Sequence, residues 1–275
     1  MREADMLEIY RRSDLCRKFE ERVYAALESR QIQIPTYMSA GQEYISSTLS
    51  LVVERTVGVA PDVFIQHRGH STYINFGGSI SELVHELHGD SRGCAQGRGG
   101  SASIHSYAAR IYGHDGLMGS HGPISVGMCY ATRHPTICFI GDAACEEDYF
   151  LAALGWAATK EIPILFVVED NNLSILTEKA VRRSWSIVEV AEGFGLHATD
   201  TTDAPEDLWN AAAGIFTRPM LLNVNTTRKF WHAGAGIDDP DCFDRHQEVE
   251  TRLGREDVLA IQTDNERLLD DEWEQ

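Results

Sequence analysis

The chain has 275 residues, 43% hydrophobic and 24% charged, an ordinary globular composition that is long enough to bury a sizeable core. A formal net charge of −18 argues against nucleic acid or an anionic membrane as the main partner, and it makes any local cluster of Arg and His informative. No apolar run approaches the roughly 20 residues needed to span a bilayer, and the charged start MREADMLEIYRR lacks a signal-peptide apolar segment. Six cysteines (Cys16, Cys94, Cys129, Cys138, Cys145 and Cys242) form no CxxC pair or regular framework. That pattern suits free thiols in a reducing compartment, and a cytoplasmic location is expected.

In chain order, helical spacing runs over 6–30 through Met6, Ile9, Tyr10, Leu15, Phe19, Val23, Ala26 and Leu27. Pro35 and Gly41 punctuate, and a second helix is expected from about Gln42 to Val53. Asp62–Gln66 is a short strand candidate, and the Gly- and Ser-rich segment 89–103 reads as loop. Residues 112–131, YGHDGLMGSHGPISVGMCYA, read as a Gly-rich loop entering a helix near Pro123. From Pro135 the pattern alternates. Strands are expected at 137–140 and 164–168 with a helix over 147–160 between them, and a helix at about 185–193 follows. A weaker strand near His197, a helix near 205–216 and a strong strand at 220–224 complete the alternation, and the acidic tail from Asp238 is expected to be helical. The alternation predicts an α/β fold with a mainly parallel sheet and helices on both faces. Without a repeat or a clear linker, residues 1–275 are expected to form one domain, with an N-terminal helical segment and a short C-terminal helical tail.

The stretch GDAACEEDYF, 141–150, places acids directly after the apolar run 136–140. In a parallel strand-helix-strand unit, residues just past the two strands share the carboxyl edge of the sheet, where ligands of open α/β sheets bind. Asp142 follows the first strand and Asn171 the second, 29 positions on (171 − 142). A carboxylate, an amide carbonyl and a backbone carbonyl make a hard oxygen set suited to Mg²⁺ or Ca²⁺, and magnesium usually takes further ligands from a phosphate. Asp142 equally suits a cap on the following helix, with Asn171 and Asn172 forming a turn.

GDAACEEDYFLAALGWAATKEIPILFVVEDNN resembles the thiamine diphosphate motif, which begins Gly-Asp-Gly and ends in Asn. The surrounding motifs LEIYRRSDLCRKFEERV, YMSAGQE, HRGHSTYINFGG, GCAQGRGGS, HDGLMGSHGPISVG and TTRKFWHAGAG run in order over roughly 7–240. Together they resemble the alpha subunit of the decarboxylating component of 2-oxo acid dehydrogenases, of pyruvate, branched-chain and acetoin types. The resemblance implies a thiamine diphosphate-binding fold. Thiamine diphosphate and Mg²⁺ are the implied cofactors, with Asp142, Asn171 and the Leu173 carbonyl on the metal. It implies Arg68 and His232 at the diphosphate, and Gly141 and Ala143 beside it, Ala143 standing where the motif usually has its second Gly. His67, His70 and His232 are the implied active-site histidines. Met118 falls at the apolar wedge under the bent cofactor, and the Gly116 carbonyl at the position that accepts its amino group. Arg228 lies at the equivalent strand end.

The Glu that activates the cofactor comes in this family from a separate beta subunit, and no Glu in the matched motifs takes that role; Glu147 better suits the first turn of a helix. The chain is therefore expected to be inactive alone. An α2β2 heterotetramer, a small 2-oxo acid substrate and a lipoyl domain are the implied partners, with neither nucleic acid nor membrane. Three departures stand out. Ser103 replaces a His, the nearest being His105; Ala233 replaces the phosphorylatable Ser; and the tail is expected to be short for the family. They keep two alternatives open beside the dehydrogenase-type subunit, a thiamine diphosphate-dependent carboligase and a non-catalytic scaffold. HELH at 85–88 has a spacing that can hold zinc, but no Cys or carboxylate completes the set.

Overall fold

The computed structural model describes residues 1–273. Two long helices open the chain, α1 (Glu3–Glu28) and α2 (Glu43–Thr56). Next come β1 (Asp62–Phe64), α3 (His70–Asn75), α4 (Ile80–Leu87), β2 (Ile111–Tyr112) and α5 (His121–Thr132). The alternating centre is β3 (Thr136–Gly141), a 3₁₀ turn at Ala144–Glu146, α6 (Asp148–Lys160) and β4 (Ile164–Asp170). A small excursion comes next: the hairpin β5 (Leu173–Ser174) and β6 (Thr177–Glu178), then one turn of helix, α7 (Lys179–Arg182). The chain ends with α8 (Ile187–Phe194), β7 (His197–Thr202), α9 (Pro205–Ala211), β8 (Met220–Asn225), α10 (Arg245–Arg252) and α11 (Arg255–Trp273).

Six strands form one parallel sheet in the order β2-β1-β3-β4-β8-β7. Its central strands read as continuous apolar runs because both faces are covered. Alternate side chains then divide between two cores. Ile137, Phe139, Leu165, Val167, Met220 and Leu222 pack into one core with Phe19 and Val23 of α1, Leu49 of α2 and Leu208 of α9. Cys138, Ile140, Phe166, Val168 and Leu221 pack into the other with Val126 of α5, Phe150 and Leu154 of α6, and Ile187 of α8. The expected parallel α/β architecture with helices on both faces is the observed one. Helix α9 stops at Ala211, short of the expected 216, and α6 starts at Asp148, which leaves Glu147 as its N-cap instead of in its first turn. None of the helices among the described residues is long and apolar enough to cross a membrane.

The acidic tail docks through buried Val258, Ile261 and Leu269, with ion pairs along its edge. Lys18 and Arg22 on α1 pair with Glu266, and Arg22 also with Asp270, on α11. Deeper in, Arg17 bridges Glu43 at the start of α2 (2.5 Å) and Asp244, the N-cap of α10 (2.8 Å).

The Gly-rich segment after α4 is irregular, as expected, yet ordered by one group. The wholly buried Glu86 carboxylate accepts the backbone N–H groups of Ala95 (2.7 Å), Gly97 (2.9 Å), Gly99 (2.7 Å) and Gly100 (3.0 Å). Gly93 has to be glycine, since a Cβ there would lie 2.5 Å from Glu86 Oε2. Glu86→Gln keeps the shape but leaves one acceptor oxygen for four donors. It is expected to cost about 3 kcal/mol, read as a lower midpoint in urea, with faster amide exchange confined first to residues 95–100.

Candidate functional site

The register Gly141↔Glu169 aligns the ends of β3 and β4, so Asp142 and Asn171 emerge at one edge of the sheet. A cavity of about 460 Å³ opens there, lined by both of these residues, by Leu173 and by Arg68, His67 and His232. Gly141, Ala143, Met118 and Arg228 also face it. A groove of about 560 Å³ beside α1, α2 and α3 is larger, but its cation Arg12 is already paired with Glu8 and Glu54.

Arg68 is the electrostatic centre of the cavity. It is 3% exposed, and among the described residues no carboxylate lies within ion-pair distance of it. Its Nη1 donates to Met38 O (2.8 Å) and its Nη2 to His232 O (3.1 Å). Burial and the neighbouring Arg228 pull its pKa down to about 10, against the more distant charges of Glu20, Glu169 and Asp238. A buried guanidinium satisfied by carbonyls and repelled by a second one is a site waiting for an anion. Arg228 itself is paired with Asp238 and donates to Ile175 O (2.9 Å).

The histidines around this centre are neutral near pH 7. Burial and then the charge of Arg68 hold His67 well below the usual range. Burial, Arg68 and Arg228 hold His232 down to about 4. His232 Nδ1 lies 3.4 Å from Arg68 Nη2 and 3.3 Å from Arg228 Nη1, so it accepts, and the proton belongs on Nε2. Tyr37 packs edge-on against both rings, at 4.9 Å from His67 and 5.6 Å from His232.

On the oxygen side, Asp142 is 2% exposed and does not cap the helix after it; its Oδ2 accepts Arg182 Nη2 at 2.5 Å. Burial pushes its carboxyl up, and the hydrogen bond from Arg182 pulls it back. Asn171 donates from Nδ2 to Gln42 Oε1 (2.8 Å) and accepts Leu173 N–H on Oδ1 (3.1 Å), which fixes the amide orientation. At Gly141 an added Cβ would lie 3.2 Å from Gln66 Oε1, a tight contact that the Gln side chain would have to relieve.

Two expected residues lie elsewhere. His70 is wholly buried and does not line the cavity. Its Nδ1–H donates to Glu20 Oε2 (3.0 Å), and its Nε2 accepts the Ser101 hydroxyl (2.8 Å). Ser101 Oγ in turn accepts the Tyr37 N–H (2.8 Å), so His70 supports a cavity residue from behind. Gly116 is exposed and outside the lining, and a Cβ there would meet nothing within 4 Å; what glycine supplies is its φ of +98°. Met118 reaches the rim, 40% exposed, with its carbonyl accepting the Tyr149 hydroxyl. In HELH, His88 Nδ1–H donates to Val84 O (2.8 Å), and among the described residues no group of three or more His, Cys, Asp or Glu is placed to hold a metal. Tyr37, Gln42, Gln66 and Arg182 were not singled out from sequence. The Arg182-Arg183 pair in so acidic a chain was the available signal for one of them.

The family model described as dehydrogenase E1 component matches residues 11–262. A pyruvate dehydrogenase E1 component subunit alpha from Rickettsia bellii is 26% identical, over 90% of this chain and 78% of its own. Its counterpart from Zymomonas mobilis is 24% identical, over 93% and 74%. The alpha subunit of acetoin:2,6-dichlorophenolindophenol oxidoreductase from Cupriavidus necator is 25% identical, over 96% and 87%.

Glu169, beside the site on β4, offers a pH test. It is buried and accepts from Gln66 Nε2. Burial pushes its carboxyl from 4.5 up to about 7, with Gln66 and Arg68 opposing. The folded state therefore binds this proton more tightly than the unfolded chain. Its contribution is complete below about pH 4.5 and lost as pH rises through about 7. Glu169→Gln removes the titration, so its stability relative to wild type should rise from about pH 5 to about pH 8, by up to about 3 kcal/mol in thermal melts.

Proposed function

The chain belongs to the dehydrogenase E1 component family, and we propose that it is the alpha-type subunit of a thiamine diphosphate-dependent enzyme that decarboxylates a 2-oxo acid. The observation that carries this reading is Arg68, a buried cation without a carboxylate partner among the described residues, facing a buried carboxylate across one cavity. A metal-bound diphosphate would supply an anion to Arg68, and its metal would compete with Arg182 for Asp142. The donor set fits Mg²⁺: Asp142, Asn171 Oδ1 and the Leu173 carbonyl are hard oxygens, and Gln42 keeps the Asn171 amide nitrogen turned away from the metal. Arg68 and His232 would hold phosphate oxygens, beside Gly141 and Ala143. When bound, thiamine diphosphate supplies the electron sink that lets a 2-oxo acid lose CO₂.

The remaining residues orient and hold protons. His232 carries its proton on Nε2 and His67 is neutral, so each ring can donate one hydrogen bond to oxygen without bringing a charge. Tyr37 sits across both rings and limits water at the reacting end. Met118 at the rim is the candidate wedge, and the Gly116 carbonyl the candidate acceptor for the amino group, both on a loop open to solvent. Exposure of that loop is what a subunit needs when a partner completes its site. Of the two lining glutamates, Glu146 is tied to Arg182 and Arg183, and Glu147 stands at the N-cap position of α6 without a side-chain capping bond. A beta-type partner supplies the activating acid, and an α2β2 assembly accords with the family.

Calorimetric titration of thiamine diphosphate with Mg²⁺ into the chain assembled with its beta-type partner tests the reading. Metal-dependent binding is expected, abolished by Asp142→Ala. Arg68→Met should weaken it by about 2–4 kcal/mol, roughly 30- to 1,000-fold. Absence of binding to the intact assembly would sink the proposal.

A further inference from the structure

We propose that Arg182 guards the metal position of this site, so that divalent metal and diphosphate bind as a coupled pair and neither binds well alone. The inference rests on the reading above. Arg182 lies outside the motifs that mark the site, on the single turn α7, and its guanidinium lines the cavity. Its Nη2 donates to Asp142 Oδ2 at 2.5 Å, its Nε to Glu146 Oε1 at 3.1 Å, and its Nη1 to Thr177 O at 2.6 Å. Both partners are withdrawn from solvent, with side-chain exposures of 12% for Arg182 and 3% for Asp142. The carboxylate proposed for the metal thus already holds a cation.

Charge couples the two ligands. A divalent ion arriving alone must compete with Arg182 for Asp142, in a cavity that also holds Arg68 and Arg228. A diphosphate arriving alone is drawn by Arg68 and Arg228 but is opposed by the carboxylates of Asp142 and Glu146. Arriving together, each offsets the charge that opposed the other, so the coupling between them is positive. Arg182 can yield without leaving. Its bonds to Glu146 and Thr177 O anchor the side chain while Nη2 passes from Asp142 to a phosphate oxygen. The excursion that carries Arg182 also carries Leu173 and starts at Asn171, so the competing cation and two proposed ligands share one short segment.

The test uses Mn²⁺ as a spectroscopic probe in place of Mg²⁺, titrated into the chain assembled with its beta-type partner, with and without thiamine diphosphate. Wild type should bind Mn²⁺ weakly alone and about 10-fold or more tightly with thiamine diphosphate. Arg182→Gln should bind Mn²⁺ alone about 10-fold more tightly than wild type and lose most of that coupling. Arg182→Lys keeps the charge but cannot span Asp142 and Glu146 together, so it should fall between the two and serves if the Gln variant does not assemble. Unchanged coupling in both variants would overturn the inference and leave the reading of the site intact. So would weaker binding of Mn²⁺ alone, since Arg182 would then be supporting Asp142. Failure of wild type to bind metal and thiamine diphosphate together would remove both.

Discussion

The guanidinium of Arg68 is buried among carbonyl oxygens with no carboxylate of the described residues within ion-pair distance, and much of the structure around the sheet edge holds it there. Taking such a charge out of water costs several kcal/mol unless hydrogen bonds and a counter-charge offset it. The hydrogen bonds come from two segments far apart in sequence, through Met38 O and His232 O. Those segments are themselves tied together. Lys229 N–H donates to Ala40 O (3.0 Å) and Gly234 N–H to Thr36 O (2.8 Å). Gly41 permits the approach, because a Cβ there would lie 2.2 Å from Thr227 O. Glu43 then receives both Gly41 N–H and Arg17, which carries the frame into α1 and α10. The motif YMSAGQE is thus a brace: its Tyr faces the cavity, its Gly and Glu fix the crossing, and its Gln orients Asn171.

Most of the sheet was legible because burial on both faces writes long apolar runs into β3, β4 and β8. Helices α3 and α4 were not anticipated, and several other elements that escaped were too short to carry a period. Strand β2 has two residues, the β5–β6 hairpin two on each side, and α7 a single turn. Such pieces are set by tertiary contacts. The site divides the same way. Asp142 and Asn171 could be placed from sequence because parallel topology carries strand ends to a common edge whatever lies between them.

Within QHRGH two positions line the cavity and a third lies behind it. His67 and Arg68 face the cavity, whereas His70 opens α3 and its ring turns into the interior. There it joins Glu20 and Ser101 in a carboxylate-imidazole-hydroxyl chain that resembles a nucleophile triad in connectivity alone. Ser101 Oγ accepts the Tyr37 N–H, and all three side chains are sealed from solvent. Nothing in five residues distinguishes a ring that reaches substrate from one that holds the wall behind it. The direction depends on where α3 begins.

The acids after β3 have three distinct tasks, and this explains why they are clustered. Asp142 presents a buried carboxylate at the sheet edge. Glu146 balances Arg182 and Arg183, which would otherwise leave the cavity with an excess of guanidinium charge. Asp148 sits in the first turn of α6, where the helix dipole favours an anion. The alternation of Asp142, Arg182 and Glu146 is a short charge ladder running from the cavity outward. In a chain of net charge −18, Arg68, Arg182 and Arg228 still line one cavity, and Asp142 and Glu146 offset part of their charge.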